Sequence, residues 1–302
     1  MELEGIDALL QRFLEPKVLA AIGNLDLVAK TVVKGFVAGL HRSPDFGFSQ
    51  EFAEYRAYSP GDDLRHVDWN VFARTEKAYL KRFRGETNSQ LTILLDASKS
   101  MAYGTPIIKM DYARYLASSL AYMGSQQRDA TGLIVFDDEV RQFIAPSTRQ
   151  GQVSRVLHAI EHAEPGARTD YGKPFTHFQQ FLRRRGMVVV ISDFWEQPET
   201  IMKAIAPLRW KGNDVVLFHV LDRQEIRPKL SGPVILIDME TDRSLEVSPD
   251  YAKHEYAPKI DAHLAAMQDE ARKTGLDYWL APTDVPLDES LRKYLTIRQG
   301  RF

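Results

Sequence analysis

The sequence contains no cysteine. Disulfides, thiolate zinc sites and cysteine nucleophiles are therefore excluded, and the composition suits a reducing compartment such as the cytoplasm. Long apolar runs are missing too: nothing approaches the ~20 residues needed to span a bilayer. The opening Met1-Glu-Leu-Glu-Gly is acidic, where an export signal would begin basic and continue apolar. Net charge is nearly absent, at −2, which gives no overall electrostatic case for nucleic acid or an anionic membrane. There is neither a Gly-x-x-x-x-Gly-Lys-Ser/Thr phosphate loop nor a dinucleotide fingerprint after a strand. If ATP drives the biology, another protein hydrolyses it. What is present is an ordinary globular balance of 44% hydrophobic and 26% charged residues over 302 positions, enough for one large domain or two unequal ones.

Residues 1–40 read as one or two helices. Within Leu25–Leu40, helical spacing puts Val28, Val32, Val33, Phe36 and Leu40 on one broad face and leaves Lys30 and Lys34 off it. That pattern fits a docked amphipathic helix, and peripheral contact with a membrane surface is the alternative. A polar segment over 41–88 follows, punctuated by Gly and Pro, with short strand candidates at Phe46–Arg56 and Tyr79–Phe83. From 89 onward strands and helices alternate. Strands are expected at 91–95, 131–136, 140–144, 187–192, 214–221, 233–238 and 276–280, and helices at 109–125, 150–162, 173–184, 199–209, 252–274 and 287–296. This alternation predicts an α/β fold with a mostly parallel sheet and helices on both faces. The run Met187–Ile191 is apolar throughout, as a strand buried on both faces should be.

Function is concentrated where apolar runs end. Leu91-Thr-Ile-Leu-Leu is followed by Asp96-Ala-Ser98-Lys-Ser100, and Met187-Val-Val-Val-Ile-Ser by Asp193. Thr169 lies in Gly166-Ala-Arg-Thr-Asp-Tyr-Gly172, just before a helix. Ligands of doubly wound sheets collect at the carboxyl ends of strands, so these oxygen donors can meet at one edge. An oxygen-only set suits a hard cation that keeps several waters, as Mg²⁺ does. Alternatively, Asp96 and the serines only close a turn through Asx-type hydrogen bonds.

The order Asp96-x-Ser98-x-Ser100, Thr169, Asp193 resembles the metal-ion-dependent adhesion site of von Willebrand factor A-like domains. That resemblance implies a Rossmann-like domain over 89–302, preceded by an N-terminal helical segment (1–40) and a β-rich segment (41–88). It further implies that Ser98, Ser100 and Thr169 ligate Mg²⁺ (or Mn²⁺ or Ca²⁺) while Asp96 and Asp193 hold its waters. A partner carboxylate would complete the shell. The stretch Gly47–Arg74, together with Ile237-Asp-Met-Glu240 and Asp277-Tyr-Trp279, resembles the domain of unknown function 58 family. Members of that family are often encoded beside MoxR-type AAA+ ATPases, which implies an adaptor acting with such an ATPase on a client protein. A metal-dependent hydrolase and a scaffold with a vestigial metal site are the competing readings. For the hydrolase, no general base or oxyanion donor is evident beside the cluster.

Other signals have simpler explanations. Pro60-Gly61 turns a segment dense in Asp62, Asp63, Arg65, Asp68 and Arg74, with Trp69 as an anchor; a charge-assisted network or a partner surface would both use these residues. His158-Ala-Ile-Glu-His162 matches an inverted zinc-peptidase pattern. Its helix, however, should bury Val153, Val156, Leu157 and Ile160 and turn both histidines outward. An aspartyl-phosphate enzyme would want a second acid two residues after Asp96, where Ser98 stands. Arg183-Arg-Arg185 reads as a solvated helix end and Asp137-Asp-Glu139 as a strand-connecting turn.

Overall fold

The computed structural model describes residues 15–40, 52–57, 71–72, 74, 77–83, 89–166, 168–181, 185–239 and 243–299. The chain divides into two compact units, Met1–Val37 with Ser89–Phe302, and Ala38–Asn88. In the smaller unit β1 (Phe52–Ala57) pairs antiparallel with β2 (Tyr79–Phe83), with a register shift between Phe52 and Glu54. The Tyr58–Asn70 part of the charged signature lies outside the described residues.

In the larger unit, α1 (Pro16–Ala20) and α2 (Leu25–Leu40) precede the alternating region. The apolar stripe of α2 is covered by the chain itself: Val28, Val32, Val33 and Phe36 are buried. The Arg292 guanidinium lies 5.7 Å from the centroid of the Phe36 ring. The docked-helix expectation is the one this burial supports. Among the described residues no helix is long and apolar enough to cross a membrane.

The alternating region runs β3 (Gln90–Asp96), α3 (Lys109–Gln126), β4 (Ala130–Phe136), β5 (Val140–Ser147), α4 (Gln152–Glu161), α5 (Gly172–Phe181), β6 (Met187–Ser192), α6 (Pro198–Trp210), β7 (Asp214–Leu221) and the short α7 (Arg223–Ile226). After the β8–β9 ribbon (Val234–Ile237, Ser244–Val247) come α8 (Ala257–Thr274), β10 (Asp277–Pro282) and α9 (Leu287–Gln299). Six strands form one sheet in the order β10-β7-β6-β3-β4-β5. Only β5 runs antiparallel to its neighbour. The chain thus starts in the middle and winds outward in both directions, so β3 and β6 lie side by side at the switch point.

Strand alternation distributes the core. Leu94, Val188, Val190, Val215 and Leu217 face Phe175 and Phe178 of α5, Ile201, Ile205 and Leu208 of α6, and Met267 and Ala271 of α8. The opposite side is covered by α3, which packs on β3, β4, β6 and β7 and against α4 and α9. Phe136 closes the first layer, with edge-on contacts to Phe175 and Phe178 at 5.4 Å between ring centroids.

Three expectations need correction. The strand expected at 233–238 does not join the sheet. It forms the separate β8–β9 ribbon, which leaves Ile235, Ile237 and Leu245 exposed. The helix expected from 252 is interrupted: Ala252–Tyr256 is a π turn and α8 begins at Ala257. Pro258 has no N–H to donate and its ring crowds the carbonyl four residues back, so regular pairing cannot run through it. β5 extends past 144 to Ser147 because it is an edge strand, where Pro146 costs no central ladder bond.

Candidate functional site

The carboxyl ends of β3 and β6 bring Asp96 and Asp193 together. Leu95 pairs with Ile191, so the residues that follow emerge from the sheet side by side. Asp96, Ser98 and Asp193 are all fully buried. Asp96 Oδ1 accepts the Ser98 amide at 2.8 Å, and its Oδ2 accepts the Ser192 hydroxyl at 2.5 Å. The Asx-type turn is therefore real, but it leaves the hydroxyls of Ser98 and Ser100 facing each other at 3.1 Å. Ser192 is itself held by Tyr171, whose hydroxyl is 2.6 Å away, and it accepts the Phe194 amide at 3.1 Å.

Thr169 is half-buried on a loop pinned beside this turn. The Gly166 amide donates to the Ala97 carbonyl at 2.7 Å and the Asp170 amide to the Asp137 carbonyl at 3.3 Å. Close approach explains the glycine: a Cβ at Gly166 would lie 2.6 Å from Asp137 Oδ2. The structure thus brings Asp96, Ser98, Ser100 and Asp193 together and sets the Thr169 loop alongside.

Two residues absent from the sequence-based site are central to its charge. Lys109, the first residue of α3, is completely buried; its Nζ donates to Asp193 Oδ2 at 2.7 Å and to Glu225 Oε1 at 2.6 Å. Burial and the positive end of its own helix both disfavour an ammonium there. The two carboxylates outweigh burial and hold Lys109 above its ordinary range. Glu225 belongs to a capping box on α7, in which the Glu225 side chain accepts the Asp222 amide at 2.8 Å. That box was legible as Asp222-x-x-Glu225 after an apolar strand. Nothing local marks Lys109, whose burial is purely tertiary.

The loop leading to Lys109 depends on Gly104. Its φ is +144°, and a Cβ would meet the Ile107 carbonyl oxygen at 2.4 Å and Ile108 Cα at 2.8 Å. Both obstacles are backbone, so Gly104→Ala should lose about 2 kcal/mol in urea denaturation. A change within a few tenths of wild type would show that this loop yields freely.

The electrostatics are unbalanced. Desolvation, and then the neighbouring Asp193 charge, push the Asp96 carboxyl up to about 7 against hydrogen bonds that favour its charged form. Asp193 Oδ1 is buried and has no hydrogen-bond partner among the described residues. Crowded carboxylates, a partnerless buried oxygen and two adjacent hydroxyls fit a hydrated hard divalent cation, which would relieve the repulsion and whose water would satisfy the orphaned atom. The donor set contains no soft ligand, consistent with Mg²⁺ chemistry.

The other acidic and histidine clusters differ. Asp137, Asp138 and Glu139 are all paired with Arg141, at 2.7, 3.1 and 2.7 Å. His158, Glu161 and His162 present ligand atoms within 4.8 Å of one another, but all three side chains are exposed. His162 Nδ1 also lies 2.8 Å from the His158 carbonyl. A catalytic zinc wants a shielded pocket. Of the arginine run, 183 and 184 lie outside the described residues.

The fold and site define a mixed α/β protein with a mostly parallel sheet and an acidic, hydroxyl-bearing cluster at its switch point. Residues 54–266 match the family described as "Protein of unknown function DUF58", and the chain belongs to that family. It is 29% identical over 280 residues to uncharacterised proteins of Mycobacterium bovis and Mycobacterium tuberculosis, covering 89% of this chain and 86% of each relative. Among solved structures it is similar to the conserved hypothetical protein BatB from Bacteroides thetaiotaomicron, at TM-score 0.49 and 14% identity, covering 70% of this chain and 99% of that one. An aerotolerance-related membrane protein from Bacteroides fragilis matches at TM-score 0.49 and 16% identity, over 70% of this chain and 99% of that one.

Proposed function

We propose that the larger unit is a von Willebrand factor A-like binding module, not an enzyme, and that it captures a partner carboxylate through Mg²⁺. The observation that carries this reading is the buried Asp193 Oδ1, without a partner among the described residues and beside Asp96 and the paired Ser98 and Ser100 hydroxyls. Ser98, Ser100 and Thr169 would hold the ion, and Asp96 and Asp193 would orient its waters. A bound Mg²⁺ supplies an electrophilic position for an incoming Asp or Glu side chain. The chain's own part is to fix the donors: Ser192 and the Ser98 amide hold Asp96, and Lys109 holds Asp193. With two hydroxyls and a threonine as direct ligands, little protein charge would quench the metal, so an anionic ligand is favoured.

The resemblance in the family signature supports a cytoplasmic adaptor working with a MoxR-type AAA+ ATPase on a client protein. Ser98→Ala removes one donor hydroxyl and should leave the fold intact. In Mg²⁺, the wild-type chain should retain the MoxR-type ATPase of its own organism in affinity capture, while Ser98→Ala loses at least about tenfold of it, since a charged contact at the metal is worth more than 1.4 kcal/mol. The variant is the decisive arm, because chelation would also deprive the ATPase of its own magnesium. Equal capture by the two chains would defeat the metal-bridged mechanism.

A further inference from the structure

The Lys109 pair has a consequence for how the site loads, and it rests on the metal-binding reading above. We propose that Lys109 sets the metal threshold of the site: its ammonium occupies one oxygen of Asp193 and opposes a divalent cation whose water the other oxygen would hold. The geometry divides Asp193 in two. Oδ2 is taken by Lys109 at 2.7 Å, and Oδ1 is buried and unpartnered among the described residues. An ammonium one carboxylate away from a cation raises the energy of that cation by direct repulsion, which burial leaves poorly screened.

Glu225 is the counterweight. It draws the same ammonium to 2.6 Å, sharing the charge that would otherwise fall wholly on Asp193. Glu225 is in turn fixed from outside the cluster, by its own capping box and by the Trp195 indole, whose Nε1 donates to Glu225 Oε1 at 3.3 Å. Lys109 also lies 5.9 Å from the centroid of the Tyr103 ring. Tyr103 and Trp195 are 40% and 39% exposed, so both aromatic neighbours of the ion pair lie at the surface, where a partner could touch them. Contacts there that shift Glu225 would shift the ammonium and therefore the affinity for metal. Lys109 is a positioning residue in this scheme and does not itself touch the ion.

The test is Mg²⁺ titration of the full chain by calorimetry, with melting temperature in EDTA and in saturating Mg²⁺ as a second readout. Lys109→Met should bind Mg²⁺ at least about tenfold more tightly. It should also melt lower than wild type in EDTA, where Asp193 and Glu225 are left unpaired, and recover most of that loss in Mg²⁺. Glu225→Gln should move the other way and weaken Mg²⁺ several-fold, which keeps the proposal testable if Lys109→Met does not fold. A merely structural lysine would give the same loss of melting temperature with and without Mg²⁺ and an unchanged affinity. That result, or weaker binding by Lys109→Met, overturns the inference while leaving the metal site standing. No Mg²⁺ binding by wild type or by either variant overturns the site itself and this inference with it.

Discussion

In EDTA, the Asp96→Asn variant gains roughly 2–3 kcal/mol of stability relative to the wild-type chain as the pH rises from 5 to 8. The Asp96 carboxyl sits at about 7 in the folded chain against an ordinary value of 3.8. Between those values the folded state keeps a proton that the unfolded state has released, so raising the pH costs the folded state. The penalty is complete above about pH 7 and absent below the ordinary carboxyl range. Asparagine matches the shape of the side chain but has no proton to lose, and it escapes the penalty.

The difference between variant and wild type is the quantity to measure, because other groups titrate nearby. His219 is buried and held down to about 3 from 6.5, so acidification below 6.5 costs the folded state. That slope opposes the Asp96 slope across much of the acidic range and would mask it in wild type alone, yet it is common to both chains. Glu225 is also raised, chiefly by burial, and adds to the Asp96 trend in both. Denaturation at pH 5, 6.5 and 8 gives the result directly. A pH-independent gap would mean that Asp96 ionises freely and that the carboxylate repulsion is not there. In saturating Mg²⁺ the wild-type penalty should vanish, because the cation supplies the missing positive charge.

The largest single loss is expected from Asp193→Ala, at about 3 kcal/mol or more. Lys109 is buried completely and makes two ion pairs. Removing one leaves an ammonium in a dry site with only Glu225, and a buried charge that has lost a partner costs far more than the pair contributed. A double variant, Asp193→Leu with Lys109→Met, should restore part of the loss, since the ammonium is gone and only Glu225, still held by the Asp222 amide and the Trp195 indole, keeps a charge there. Measuring Asp193→Leu and Lys109→Met singly as well closes the cycle that isolates their coupling. Equal stability of the single and double variants would show that the ammonium does not need Asp193. Both Asp193 variants should lose the Mg²⁺ response.

The parts of the site written into local sequence were legible, and the parts assembled by tertiary packing were not. Asp96 and Asp193 stand out because apolar runs end at them, and the alternation of strands and helices predicts a mostly parallel sheet, though not the strand order that places β3 beside β6. Lys109 carries no such mark: it reads as the polar first residue of an amphipathic helix. Its burial comes from Asp193 and Glu225, 84 and 116 residues away. Tyr171 and Ser192 likewise look like ordinary loop and strand residues until their hydroxyls meet at 2.6 Å. The β8–β9 ribbon misled in the opposite sense. Val234-Ile-Leu-Ile is as apolar as a core strand, yet among the described residues β8 pairs only with β9 and stays outside the sheet. Apolarity identifies a strand without identifying its partner.

The most direct test of the account is a calorimetric titration of Mg²⁺ into the EDTA-stripped 302-residue chain, with Ser98→Ala alongside. The account predicts one saturable site in wild type, weakened at least about tenfold by the loss of a single hydroxyl. No saturable heat from any of the chains, or identical binding by wild type and Ser98→Ala, would contradict it.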